Sequence, residues 1–289
     1  YDVTVFERRE LAGGLSTYGI ITLREPVEAS LAEVKMIERL GVRIETQREL
    51  GVDISLTELQ SRFGAVFLGI GLGATPPMGI ENEAYAIDGL AYIEDSKMNG
   101  GSMKIGRTVA VIGAGNTAID CATIARRLGA ENVTMIYRRS EREMTAYPHE
   151  YDFIKREGVA MRFLTQPTAV IVEDGKVAGL RVARMELGPA DASGRPTPRR
   201  AMEPEFTIAA DQIVKAVGQV KPKLAERLGL ATDRGFIKVD ANFETSIAGV
   251  YAGGDCVRAK NGASTVMAVQ DGKLAAAAIH ARLEETRHG

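Results

Sequence analysis

The sequence has 289 residues, is 45% hydrophobic and 26% charged, and carries a formal net charge of −2. That balance excludes a disordered chain, gives no footing for a nucleic-acid or membrane surface, and leaves no apolar run near the roughly 20 residues of a membrane helix. Two cysteines, Cys121 and Cys256, exclude a metal cluster site or a disulfide framework, while 31 glycines invite a search for phosphate-binding loops.

The chain opens Tyr1-Asp2-Val3, without Met and already at a predicted strand over 3–6. Ala12-Gly13-Gly14-Leu15 reads as a loop. Val27, Leu31, Val34, Ile37 and Leu40 keep helical spacing over 26–40, and Gly41 stops the helix. Strands follow over 42–44 and 65–68, the second running into Gly69-Ile70-Gly71-Leu72-Gly73 and Pro76-Pro77. Asn99-Gly100-Gly101 has linker chemistry. A strand over 107–112 leads through Gly113-Ala114-Gly115 into a helix that ends near Leu128 and Gly129, and the next strand spans 133–137. Mixed helix, strand and hairpin signals continue to about Arg184. Residues 189–204, rich in Pro and Arg, read as a loop. Short strands over 214–218, 236–239 and 250–252 precede an Ala-rich helix over 265–283. Strands alternating with helices imply a parallel sheet covered by helices.

An internal repeat organises these elements. Val3-Thr4-Val5-Phe6-Glu7-Arg8-Arg9 matches Val133-Thr134-Met135-Ile136-Tyr137-Arg138-Arg139, 130 residues later. If both close the second strand of a dinucleotide-binding unit, the later glycine loop starts 20 residues before Val133, at Gly113. The earlier loop then falls upstream of Tyr1.

The later unit is the stronger signal. Gly113-Ala114-Gly115-Asn116-Thr117-Ala118 is G-x-G-x-x-A between a strand and a helix. Gly113 makes the tight turn, Gly115 lets backbone approach a pyrophosphate at the helix N-terminus, and Ala118 allows close helix–strand packing. The following strand ends Tyr137-Arg138-Arg139, with no acid to hold a ribose 2′-hydroxyl. Two guanidiniums there suit a 2′-phosphate, which favours NADPH and leaves NADH open. In the first unit Glu7 occupies the position that takes an adenosine ribose of FAD or NAD, although a solvated end-of-strand acid has the same sequence. Near the C-terminus, Val250-Tyr251-Ala252-Gly253-Gly254-Asp255 is a short strand into Gly-Gly-Asp. Gly254 would let backbone near a flavin chain and Asp255 would accept from a ribityl hydroxyl, or serve only as a cap. A helix starting at 263–266 would aim its N-terminal dipole at a flavin carbonyl.

As a set, these motifs resemble the two-dinucleotide-domain flavoproteins of the disulfide-reductase type. Glu7 through Gly13-Gly14-Leu15-Ser16-Thr17-Tyr18-Gly19-Ile20 with Arg24, the Gly113 to Asp120 stretch and Tyr137-Arg138-Arg139 resemble the glutamate synthase small subunit. They also resemble the flavin portion of dihydropyrimidine dehydrogenase, to which Ser16-Thr17 and Ala146-Tyr147-Pro148 lean. The resemblance implies an α/β fold of two Rossmann-like domains, the NAD(P)H domain over 103–217 inserted into an FAD domain formed by 1–102 and 218–289. It implies FAD contacts from Glu7, Gly14, Leu15, Arg24, Leu50, Asp255 and Thr265. It implies nicotinamide-cofactor contacts from Ala114, Gly115, Asn116, Thr117, Arg138, Arg139, Ala216, Val217 and Gly218. Relatives with a similar Arg pair use NADH, so the pair does not settle the cofactor.

The implied chemistry is hydride transfer from NADPH or NADH to FAD, with electrons passed to Fe-S clusters in another segment or in a synthase- or barrel-type partner subunit. The cofactors carry it, so no catalytic side chain and no metal ligand is expected in this chain. His149, at a helix start, and His280 and His288, near the C-terminus, read as surface residues. Neither cysteine has a Cys-x-x-Cys partner, which argues against thiol-disulfide exchange. The family's first glycine loop and its cysteine-rich segment are expected upstream of Tyr1. The alternative is a non-catalytic dinucleotide-binding fragment. A cytoplasmic location is expected.

Overall fold

The computed structural model describes residues 1–100, 102–191, 194–257 and 264–288. Gly101 of the expected linker, Ala263 at the expected helix start and the His288 side chain lie outside the described residues. The chain divides into two compact units. One contains Gly13–Ser30 and Thr75–Gly218, the other Tyr1–Ala12, Leu31–Ala74 and Gln219–Gly289.

The unit containing the G-x-G-x-x-A turn is built on a five-stranded parallel sheet. Its order is Ile87–Asp88, Gln212–Lys215, Thr108–Ile112, Asn132–Ile136 and Ala160–Arg162. The central strand is apolar from Val109 to Ile112, where both its faces are covered. Val109 and Val111 pack with Ala118, Ile119 and Ala122 of the helix Asn116–Arg127, and with Tyr92 and Ile93 of the helix Gly89–Met98. Ala110 and Ile112, pointing the other way, pack with Val170, Leu180 and Val182.

Those last residues belong to a four-stranded antiparallel sheet of Thr165–Glu173, Lys176–Ala190, Pro196–Arg200 and Phe206–Ala209. The loop expected over 189–204 is therefore corrected at its start and in its middle. Lys176–Ala190 runs into it, and Pro196–Arg200 pairs back with a register shift between Pro196 and Pro198. Proline is compatible with that strand because it pairs on one side only and carries an irregularity.

Residues 13–30 are held in the same unit by polar groups. Gly14–Tyr18 is a short helix that takes up Gly14 and Leu15 of the loop expected over 12–15, entered through Gly13 at φ 109°. Buried Thr17 and Ser30 share a hydrogen bond of 2.7 Å. Lys97, 6% exposed, donates from Nζ to Ser16 O at 2.8 Å and to Glu25 O at 3.0 Å.

The other unit contains two parallel strand pairs, Thr4–Phe6 with Arg43–Glu45 and Val66–Leu68 with Val250–Ala252. Ile54, Leu59, Leu68, Ile237, Val250 and Ala252 form its core, with Phe6 and Leu50 packed against it. The helix Leu56–Arg62 has Ser55 as its N-cap, accepting from Glu58 N–H at 3.0 Å. The helix Thr265–His288 closes the unit. Among the described residues no helix is long and apolar enough to cross a membrane.

Candidate dinucleotide-binding site

The turn after the central strand is shaped by close packing. Gly113 has φ 141°, and a Cβ there would lie 2.2 Å from Ala216 O and 3.2 Å from the Ala118 Cβ. Its N–H donates to Ile136 O at 2.9 Å, and Ala216 N–H donates to Ile112 O at 2.8 Å. The structure thus brings Gly113 and Ala216, predicted from separate stretches of sequence, into backbone contact. Val217 and Gly218 continue outward, Val217 exposed and Gly218 at φ 97°.

Gly115 is the N-cap of Asn116–Arg127 and provides no side-chain cap. Among the described residues, the N–H groups of Asn116 and Thr117 meet no acceptor. Two free donors, the positive end of a 12-residue helix and a cap residue without a side chain suit a pyrophosphate. One wall of the turn escaped sequence reading. Thr145 and Ala146 donate backbone N–H to Ala114 O at 3.2 and 3.1 Å, and Tyr147 N–H donates to Asn116 Oδ1 at 3.1 Å.

The end of the next strand carries positive charge. Arg138 is exposed and makes no hydrogen bond among the described residues. Arg139 is buried and donates from Nε to Pro196 O at 3.0 Å. Desolvation by its neighbours, then repulsion from Arg139 and Arg195, hold the Arg138 guanidinium below the ordinary arginine value, while Tyr137 pulls the other way. Arg195 was not anticipated, because it lies in the stretch read as a loop.

The flavin candidates fall in both units. In one, Gly14 and Leu15 are exposed, and Arg24 pairs through Nη2 with Asp120 Oδ1 at 2.8 Å and Glu150 Oε2 at 2.6 Å. In the other, the Glu7 carboxylate accepts from Arg9 N–H at 2.9 Å. Leu50 packs on the core that contains Ala252 and Cys256. Gly254 has φ 76° and donates its N–H to buried Asp271 at 2.8 Å. A Cβ on Gly253 would lie 2.8 Å from Phe67 Cζ and 2.9 Å from the Asp271 Cβ, so close packing demands glycine in this turn. Asp255 follows, and Thr265 stands exposed at the first turn of the last helix. Asp271 had no sequence signal beyond its place in that helix.

Both cysteines are free and buried. Burial raises Cys121 well above the ordinary thiol value and pushes Cys256 up to about 11, so neither is a ready thiolate. Among the described residues there is no group of ligands able to hold a metal ion.

A parallel sheet with a G-x-G-x-x-A turn at the end of its central strand, and a Gly253-Gly254 turn after a parallel strand in the second unit, define an α/β protein of the FAD/NAD(P)-binding, disulfide-reductase-like fold. The chain belongs to the pyridine nucleotide-disulphide oxidoreductase family, whose model matches residues 7–272, and within it to the glutamate synthase small-chain-like proteins. It is 40% identical over 293 residues to the NADP(+)-dependent formate dehydrogenase subunit beta of Moorella thermoacetica, covering 99% of this chain and 41% of that protein. It is 35% identical to the Glutamate synthase [NADPH] small chain of Azospirillum brasilense, covering 97% of this chain and 61% of that one. The chain thus spans less than two thirds of these curated relatives. Mycobacterium tuberculosis FprA, solved in complex with NADPH, superposes with a TM-score of 0.78 at 18% identity, over 100% of this chain and 79% of that one. A thioredoxin reductase of T. acidophilum gives 0.74 at 21%, over 97% and 90%. These last two likenesses concern the fold alone.

Proposed function

We propose that this chain is the NADPH- and FAD-handling part of a multisubunit oxidoreductase. The observation that carries the reading is the Gly113 turn, with the free Asn116 and Thr117 N–H groups at a helix start and Arg138 and Arg139 at the end of the adjacent strand. The turn would take the pyrophosphate and the arginines the 2′-phosphate. Relatives whose names specify NADPH or NADP(+) support NADPH over NADH. Glu7, Gly254 and Asp255 would hold the FAD, with Gly14, Leu15, Arg24, Leu50 and Thr265 as further contacts.

When bound, NADPH supplies a hydride, and FAD accepts it and releases electrons singly. The chain's residues bind and orient; none is required as nucleophile or base. The relatives are named as subunits or small chains, which supports a partner subunit as electron acceptor. A synthase- or barrel-type partner with Fe-S clusters, and a cytoplasmic location, belong to the same proposal.

The test is anaerobic addition of NADPH to the purified protein while flavin absorbance is followed. The reading expects a yellow protein that bleaches with NADPH. A protein that binds NADPH but holds no flavin would overturn it in favour of a non-catalytic dinucleotide-binding module.

A further inference from the structure

The antiparallel hairpin returns a third guanidinium to the strand end that carries Arg138 and Arg139. Arg195 Nη2 donates to Tyr137 Oη at 3.0 Å and to Glu143 O at 2.8 Å, and Tyr137 Oη itself donates to Glu143 O at 2.7 Å. Beside it, Pro196 O accepts from Arg139 Nε at 3.0 Å, so the hairpin and the strand end are tied at two consecutive residues. The anchor uses only one terminal nitrogen of Arg195. Its Nη1 and Nε meet no acceptor among the described residues, and neither do the terminal nitrogens of Arg138 and Arg139. Two carboxylates are near: that of Glu143 is engaged by Ser140 N–H at 3.0 Å and Ser140 Oγ at 2.6 Å, and that of Asp191 accepts from the Arg195 backbone N–H at 3.2 Å.

Three like charges gathered with unused donors are unfavourable by themselves and become favourable around a dianion. We propose that Arg195 is a specificity-determining residue: the third cation of a subsite for the 2′-phosphate of an adenosine ribose, positioned by Tyr137. The inference rests on the NADPH reading given above and adds to it a residue contributed by the hairpin. Tyr137 is the positioning residue, because its hydroxyl bonds Arg195 and leaves the other guanidinium nitrogens open. A lysine at 195 would keep charge but lose the fork that allows one nitrogen to anchor while the others bind.

Calorimetric titration of the full chain with 2′,5′-ADP and with 5′-AMP tests this directly. Arg195→Ala is expected to weaken 2′,5′-ADP roughly tenfold, the scale of a lost charged hydrogen bond, and to leave 5′-AMP unchanged. Arg195→Lys is expected to restore part of the loss and Tyr137→Phe to cause a smaller one. Thermal melting of each variant without ligand separates misfolding from lost binding. If the unaltered chain prefers 2′,5′-ADP but Arg195→Ala binds it equally well, Arg195 has no such role and the NADPH reading stands. If the unaltered chain shows no preference for 2′,5′-ADP, the NADPH reading fails and this inference with it.

Discussion

Arg24 Nη2 stands 2.8 Å from Asp120 Oδ1, while its hydrogen bond goes to Glu150 Oε2 at 2.6 Å. The Asp120 carboxylate oxygen is buried and accepts no directed hydrogen bond, so the Arg24 contact is coulombic. This pair joins the 13–30 segment to the helix that starts at the glycine turn.

Burial pushes the Asp120 carboxyl up to about 7, with Arg24 pulling it down and Glu150 adding to the rise. Between 3.8 and about 7 the folded chain therefore holds a proton that the unfolded chain has released. Stability from this group is present at the acid end and falls as pH rises through that window. Asp120→Asn cannot ionise, so its melting temperature is expected to lose that slope, the variant gaining on the parent as pH rises. Parallel melting profiles for the two proteins would count against the assignment.

Lys97 is expected to be structural. Its buried ammonium serves Ser16 O and Glu25 O, and Lys97→Met leaves both carbonyls without that donor. A loss of about 1–3 kcal/mol in denaturant unfolding is expected. Unchanged stability would show that the 13–30 segment is held by other means.

The two loop glycines should respond differently. Gly113→Ala places a methyl 2.2 Å from the Ala216 backbone at φ 141° and should cost about 2–4 kcal/mol. Gly115 has φ −99°, and its added Cβ would lie 3.2 Å from the Thr145 hydroxyl, a side chain that can rotate away. Gly115→Ala is expected to stay within about 1 kcal/mol in stability yet weaken NADPH, because the methyl enters the space the pyrophosphate needs. Equal losses of stability in both variants would contradict this division of roles.

The parts of the fold that sequence reading recovered are those with local causes. The run Val109-Ala110-Val111-Ile112 is a buried parallel strand, and Gly113, Gly115 and Ala118 take the places their sizes suggest. What it missed depends on distant partners. Prolines at 189, 196 and 198 marked a loop, yet they lie on paired strands where one-sided pairing and a register shift tolerate them. Arg195 meets Tyr137 across 58 residues, a contact made by the hairpin with no local signal. Ala12-Gly13-Gly14-Leu15 reads as a loop, yet Gly14 and Leu15 open the short helix Gly14–Tyr18, and it is Lys97, 81 residues from Ser16, that binds this helix into its unit.

The central claim is that the Gly113 turn and the Arg138–Arg139 strand end form an NADPH site. Calorimetric titration of NADPH and NADH into the protein and into the Arg138→Ala, Arg139→Ala double variant tests it most directly. The account predicts saturable NADPH binding that falls at least about tenfold in the double variant while NADH changes little. An unchanged ratio of NADPH to NADH affinity, or no saturable NADPH binding to the unaltered protein, would contradict it.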